Sequence, residues 1–277
     1  HSAPSTDARM NTPLRQVQSI LEQAPQCVPP GVIEAVGAFV GVAPLCPLTA
    51  AALAGAESGG SEGHDLYWFK TCGRAAYEHW DFSGARRCPV AERLVVGLLA
   101  RLCTDLPIDA RRVYLCGHSA GGYGALRLAE LLPELPAAVV PISGYYPSLP
   151  GQDHDVVALA QRLKQVPLVW PMHCARDQQC RLESPHVAEL YRELQGPCGA
   201  EVEWVSAMLS LGIHGDCHWA LRRVLAEPRR FLEELFRVVR AEANDAAAYL
   251  HGQLQSLPPL PRSVSQGALV SLSTGVY

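Results

Sequence analysis

Gly117-His118-Ser119-Ala120-Gly121-Gly122 sets a serine between glycines at the spacing Gly-x-Ser-x-Gly. A serine hydroxyl is a weak nucleophile until a neighbouring base takes its proton. The turn that presents such a serine is tight. Glycines two residues to either side let a strand and a helix approach without a Cβ clash. The apolar run Val113 to Cys116 precedes the motif, and Tyr123 to Leu132 follows it with a helical pattern. Strand, turn and helix in that order predict a nucleophile elbow carrying Ser119. The helix points its amide end toward the serine, where negative charge develops, and the Ala120 N–H is the first oxyanion donor. Without that context the same motif is an ordinary Gly-rich turn.

A nucleophilic serine needs a base and an orienting acid. In this arrangement they follow it in the order acid, then histidine. The next strong apolar run is Val166 to Pro171, and it leads into Met172-His173-Cys174-Ala175-Arg176-Asp177. An aspartate on the loop past a strand end suits the carboxylate that holds the imidazole tautomer, so Asp177 is the expected acid. Glu183 is its nearest rival, but Pro185 and the helical pattern beyond place it in the next element. Ala200 to Val205 alternates like a strand, and the polar loop Gly212 to Trp219 after it holds two histidines. His218 lies nearer the following helix and is read as the base, with His214 as the alternative. His118 and His173 are read as pocket-lining or solvated.

The elbow Gly117 to Gly124 resembles that of the α/β-hydrolase superfamily. The closer likeness is to its carboxylesterase, phospholipase and acyl-thioesterase branch, with polyhydroxybutyrate-depolymerase-like and feruloyl-esterase-like relatives. Phe39 to Pro47 is similar to a family strand ending in a Pro-x-Cys-Pro turn. Pro141-Ile142-Ser143-Gly144 resembles the end of the strand after the elbow helix. His173-Cys174-Ala175-Arg176-Asp177 resembles a His-Gly-x-x-Asp acid loop with cysteine in place of glycine. Ala226-Glu227-Pro228 resembles a step that follows the family's catalytic histidine and so selects His218. The resemblance covers most of residues 1 to 240. It implies an α/β-hydrolase fold and a Ser119–His218–Asp177 triad that cleaves carboxylic esters or thioesters without a cofactor. Its substrate would be a small-molecule or lipid acyl ester. Two alternatives stay open: a prolyl-oligopeptidase-type peptidase, and an inactive homologue that binds rather than cuts.

The chain departs from the family at its start. It opens on His1-Ser2-Ala3-Pro4, where the family has earlier strands, the last ending in His-Gly. The expectation is a fragment lacking N-terminal strands, with the second oxyanion donor coming from residues 2 to 4.

The elements that must position these residues alternate. Strands are expected at 113–116, 137–142, 166–171 and 201–206, with a further one at 38–43. Helices are expected at 14–22, 89–102, 121–132, 155–164, 185–195 and 228–241. Such alternation predicts a mostly parallel sheet covered on both faces. Ser119, Asp177 and His218 then all lie beyond carboxyl ends of strands, where open α/β sheets hold ligands. Residues 1–252 are read as the hydrolase domain and 253–277, rich in Pro, Ser and Gly, as a flexible tail.

At 277 residues the chain suits one large domain, and a net charge of −4 with no Lys/Arg run argues against a nucleic-acid partner. No apolar stretch reaches transmembrane length. Among the ten cysteines, Cys103 and Cys116 are expected to be buried thiols. Cys72 with Cys88, or Cys174 with Cys180, are possible disulfides, and no metal site is expected. Trp68, Trp80, Tyr145 and Tyr146 are candidates to line an acyl pocket.

Overall fold

The computed structural model describes residues 40–42, 69–70, 86–87, 89–145, 156–177, 185–196, 199–205, 220, 224, 228–242, 244–259 and 275–276. The elements are β1 (Val40–Gly41), β2 (Phe69–Lys70), β3 (Arg86–Arg87), α1 (Pro89–Asp105), β4 (Tyr114–His118) and α2 (Ala120–Leu131). They continue with β5 (Ala138–Ile142), α3 (Val156–Leu163), β6 (Leu168–Val169), β7 (Met172–Cys174), α4 (Pro185–Gln195) and β8 (Glu203–Val205). The last are α5 (Pro228–Phe236), α6 (Ala246–Ser256) and β9 (Gly275–Val276).

Strands β4, β5, β7 and β8 lie side by side in that order, all parallel, and β6 also pairs with β5. Parallel strands joined by helices need both faces covered, and the side chains of β5 show this. Val139 points into a core with Tyr123, Leu126, Leu159, Leu190 and Leu250, drawn from α2, α3, α4 and α6. Ala138, Val140 and Ile142 point the other way, onto Phe231 and Leu235 of α5. All five residues of β5 are buried, so it is the central strand of the described sheet. A fully buried leucine such as Leu126 or Leu159 contributes roughly 1.5–3 kcal/mol. The α/β-hydrolase fold class expected from the sequence agrees with this layered parallel sheet.

Helix α3 buries Val156, Leu159, Ala160 and Leu163, a spacing that puts them on one stripe. Helices α1 and α2 are tied by buried charge. Arg127 Nε donates to Glu92 Oε1 at 2.7 Å, and its guanidinium also reaches the carboxylate of Glu130. All three side chains are almost fully buried.

Several expectations change. The strand expected at 166–171 is two short strands. Pro141 of β5 has no N–H to donate to the Trp170 carbonyl, so the ladder lapses between β6 and β7. Trp170 N still donates to Val139 O at 2.8 Å and Ser143 N to Met172 O at 2.8 Å, so the register against β5 is the same on both sides of the gap. The helix expected over 228–241 stops at Phe236. Arg112 donates to the Phe236 carbonyl at 3.0 Å and the Tyr114 hydroxyl to that of Val238 at 2.9 Å. Those side chains take the carbonyls at the helix end and lead the chain away. Residues 253–256, expected in a flexible tail, complete α6, and Leu257 just past its end is buried; Arg93 donates to the carbonyls of Leu254 and Leu257. Val40–Gly41 pairs antiparallel with Gly275–Val276, and Phe69–Lys70 with Arg86–Arg87.

Cys116 is exposed, not buried, and Cys103 is half-buried; both are free thiols. Among the described residues β4 pairs only with β5. The helix expected at 14–22, Cys72, Cys88, Cys180, Trp68, Trp80 and Tyr146 lie outside the described residues. Tyr145 is buried and stacks on Tyr123, ring centroids 6.3 Å apart, so it packs in the core. Among the described residues no helix is long and apolar enough to cross a membrane.

Candidate functional site

Ser119 stands between the end of β4 and the start of α2 with φ 55° and ψ −120°. A side chain in that region costs about 1–3 kcal/mol, and such conformations persist only where surroundings hold them. Here the backbone does so at both ends. Ser119 N donates to Ile142 O at 2.9 Å, and Ser119 O accepts from Tyr123 N at 3.1 Å. The serine occupies the N-cap position of α2, yet its side chain makes no capping hydrogen bond. The hydroxyl is thus not consumed by the helix it begins.

The glycines divide their work differently from the motif's symmetry. A Cβ on Gly117 would meet the Gly121 carbonyl oxygen at 2.0 Å. Gly117 therefore permits the elbow. A Cβ on Gly121 would meet nothing within 4 Å, so Gly121 is not required by space as its own spacing suggested. The third glycine is: a Cβ on Gly122 would meet Gly144 Cα at 2.8 Å. Gly122 and Gly144 thus pack backbone to backbone, joining the elbow helix to the turn after β5.

That turn repeats the elbow's logic one strand over. Ser143 also has positive φ, 45°, and its N–H donates to Met172 O at 2.8 Å. Its hydroxyl is buried with no hydrogen-bond partner among the described residues. Register aligns the strand ends: His118 faces Ile142, Ile142 faces Met172, and Cys174 faces Val205. Ser119, Ser143 and Asp177 consequently follow the carboxyl ends of three successive strands of the sheet.

Asp177 lies three residues past β7 and is 4% exposed. Its N–H donates to Cys174 O at 2.9 Å, closing a tight turn. His173 is fully buried, neither pocket-lining nor solvated as expected. Its Nδ1 lies 2.7 Å from the Tyr191 hydroxyl and its Nε2 3.9 Å from Asp177 Oδ2. The Tyr191 hydroxyl also lies 3.4 Å from the Gly144 carbonyl. Sequence reasoning missed this buried set. The signal lay in the His173-to-Asp177 motif, where the histidine precedes the acid by one helical turn's worth of residues.

His118 ends β4 and is partly buried. The N–H of Ala120 opens α2 beside Ser119. His218, its alternative His214, Glu183, and residues 2 to 4 all lie outside the described residues. The structure therefore brings the predicted nucleophile and acid to one edge of one sheet. β8, which leads into the segment with both histidines, pairs directly with β7.

No protein-family model matches the chain, and no curated protein matches it. Solved structures do. A thermostable esterase is 28% identical over 53% of this chain and 36% of its own, with a TM-score of 0.41. An S-formylglutathione hydrolase from Staphylococcus aureus is 17% identical over 51% of this chain and 62% of its own, with a TM-score of 0.38. Acyl-protein thioesterase 2 from Zea mays is 16% identical over 61% of this chain and 72% of its own, with a TM-score of 0.40. The chain thus spans under two thirds of the first two of these structures. The likeness is partial, and the fold class stands on the chain's own strand order and elbow.

Proposed function

We propose that this chain, whose sheet and elbow are those of the α/β hydrolases, is a serine hydrolase that cleaves carboxylic esters or thioesters. One observation carries the reading: Ser119 is held at φ 55°, ψ −120° between a parallel strand and a helix, with its hydroxyl not spent on capping. Backbone strain of this kind is kept where surroundings over-determine it, and a strained serine above a parallel sheet is the geometry of a nucleophile.

In this reading Ser119 Oγ attacks the acyl carbon while His218 takes the hydroxyl proton. The Ala120 N–H, at the positive end of α2, stabilises the oxyanion. The tetrahedral intermediate collapses, the ester or thioester bond breaks, and His218 returns the proton to the leaving alcohol or thiol. Water then repeats the sequence on the acyl-enzyme and frees the carboxylic acid. Asp177 orients His218 and stabilises its charged form. No step calls for a metal or a cofactor. The substrate is a small-molecule or lipid acyl ester.

The test is turnover of p-nitrophenyl esters of graded chain length beside the matching anilides. Ester turnover that vanishes in Ser119→Ala, with anilides uncut, supports the esterase reading. Preferential anilide cleavage favours the peptidase alternative. Absence of turnover on both favours an inactive homologue.

A further inference from the structure

The buried set Gly144, Tyr191, His173 and Asp177 joins three parts of the fold that the reaction must hold in register. Gly144 belongs to the turn after β5 and packs on Gly122 of the elbow helix. Tyr191 comes from α4, and His173 and Asp177 from β7 and the loop beyond it. Tyr191 is 4% exposed and His173 0%, so water does not compete for these groups.

The protons can be assigned from the partners. Tyr191 has one hydroxyl proton and two acceptors in reach: His173 Nδ1 at 2.7 Å and Gly144 O at 3.4 Å. The tyrosine oxygen can donate to Nδ1, or accept from Nδ1–H while donating to the carbonyl, so the surroundings of Nε2 decide; in the first case the proton of the neutral imidazole sits on Nε2. That nitrogen is the one facing Asp177 Oδ2, 3.9 Å away. The opposite tautomer would aim a lone pair at a carboxylate in a dry site, where repulsion is strongest. At 3.9 Å the Nε2–H acts on Oδ2 as an oriented dipole and not as a full hydrogen bond. The ring is also clamped edge-on against the Tyr191 ring, centroids 4.8 Å apart.

We propose that His173 is a positioning residue: Tyr191 locks its ring as the Nε2–H tautomer, which holds the Asp177 carboxylate in the rotation that orients the catalytic base. The proposal rests on the reading of Asp177 as the acid. It gives His173 no contact with substrate and no proton transfer. Two imidazoles then serve one aspartate, one fixed in the core and one that reacts.

The test uses the full chain with Tyr191→Phe, Asp177→Asn and the double variant, assayed on p-nitrophenyl acetate. Tyr191→Phe removes one oxygen and keeps the ring. It is expected to lower kcat by roughly tenfold or more with KM little changed, the loss expected from a misaligned catalytic group. In the Asp177→Asn background the same change should have no further effect, because its route to the reaction is gone. An equal loss in both backgrounds would make Tyr191 merely structural and overturn the proposal. If Asp177→Asn alone leaves kcat intact, Asp177 is not the acid, and the functional reading fails with it. Nitrogen NMR of 15N-histidine-labelled native chain gives an independent readout. The His173 resonances are expected in the Nε2–H pattern; the Nδ1–H or doubly protonated pattern would overturn the proposal even if every variant failed to fold.

Discussion

Gly117 and Gly121 meet across the elbow so closely that a Cβ on Gly117 would stand 2.0 Å from the Gly121 carbonyl oxygen. The relationship is one-sided, because a Cβ on Gly121 would enter open space. Gly117→Ala should therefore cost about 3 kcal/mol, the upper end of the overpacking range, since backbone on both sides cannot move aside. Gly121→Ala should be neutral or stabilising, by up to about 1 kcal/mol, because alanine is the better helix former. Urea midpoints of the two variants check this. Equal destabilisation would contradict the geometry.

Ser119 predicts a second asymmetry. Its φ of 55° is a strain that glycine would not feel. Ser119→Gly should raise stability by about 1 kcal/mol while removing ester turnover. A variant that is both less stable and still active would show that the conformation is neither strained nor functional.

The sequence announced the elbow because three signals coincide there: an apolar run, the glycine spacing and a helical pattern. The acid loop was legible for a similar reason, since an apolar run ends shortly before Asp177. What remained hidden depends on contacts far apart in the chain. Nothing near Tyr191 indicates that its hydroxyl meets His173, and nothing near Arg112 indicates that it ends α5. Pro141 was visible as a residue, but that it interrupts the pairing of the next strand depends on Trp170 lying opposite it. Gly122 lies one residue beyond the Gly-x-Ser-x-Gly spacing, and its close approach to Gly144 depends on a turn twenty-two residues away.

The charged group between α1 and α2 gives a stability prediction. Arg127 is the shared partner of Glu92 and Glu130, and all three are almost fully buried. Arg127→Met removes the cation and leaves two carboxylates in a dry interface. The expected loss is about 3–5 kcal/mol, measured by chemical denaturation. The surface pair Arg230–Glu234 serves as the contrast, and breaking it should cost no more than about 0.5 kcal/mol. Similar costs at the two sites would mean that burial does not govern these pairs.

The base assignment separates two histidines. His218→Ala should lower kcat by roughly six orders of magnitude, as removal of a triad histidine does. His214→Ala should change it less than about tenfold. The reverse ranking would move the base to His214 and leave the roles of Ser119 and Asp177 intact.

The central claim is that Ser119 is an activated nucleophile. Fluorophosphonate labelling followed by peptide mass spectrometry tests it most directly, because the probe reacts with a serine that a neighbouring base has activated. The account predicts one adduct, on the peptide containing Ser119, and none in Ser119→Ala. An adduct on a different residue, or a native chain that stays unlabelled while folded, would contradict it.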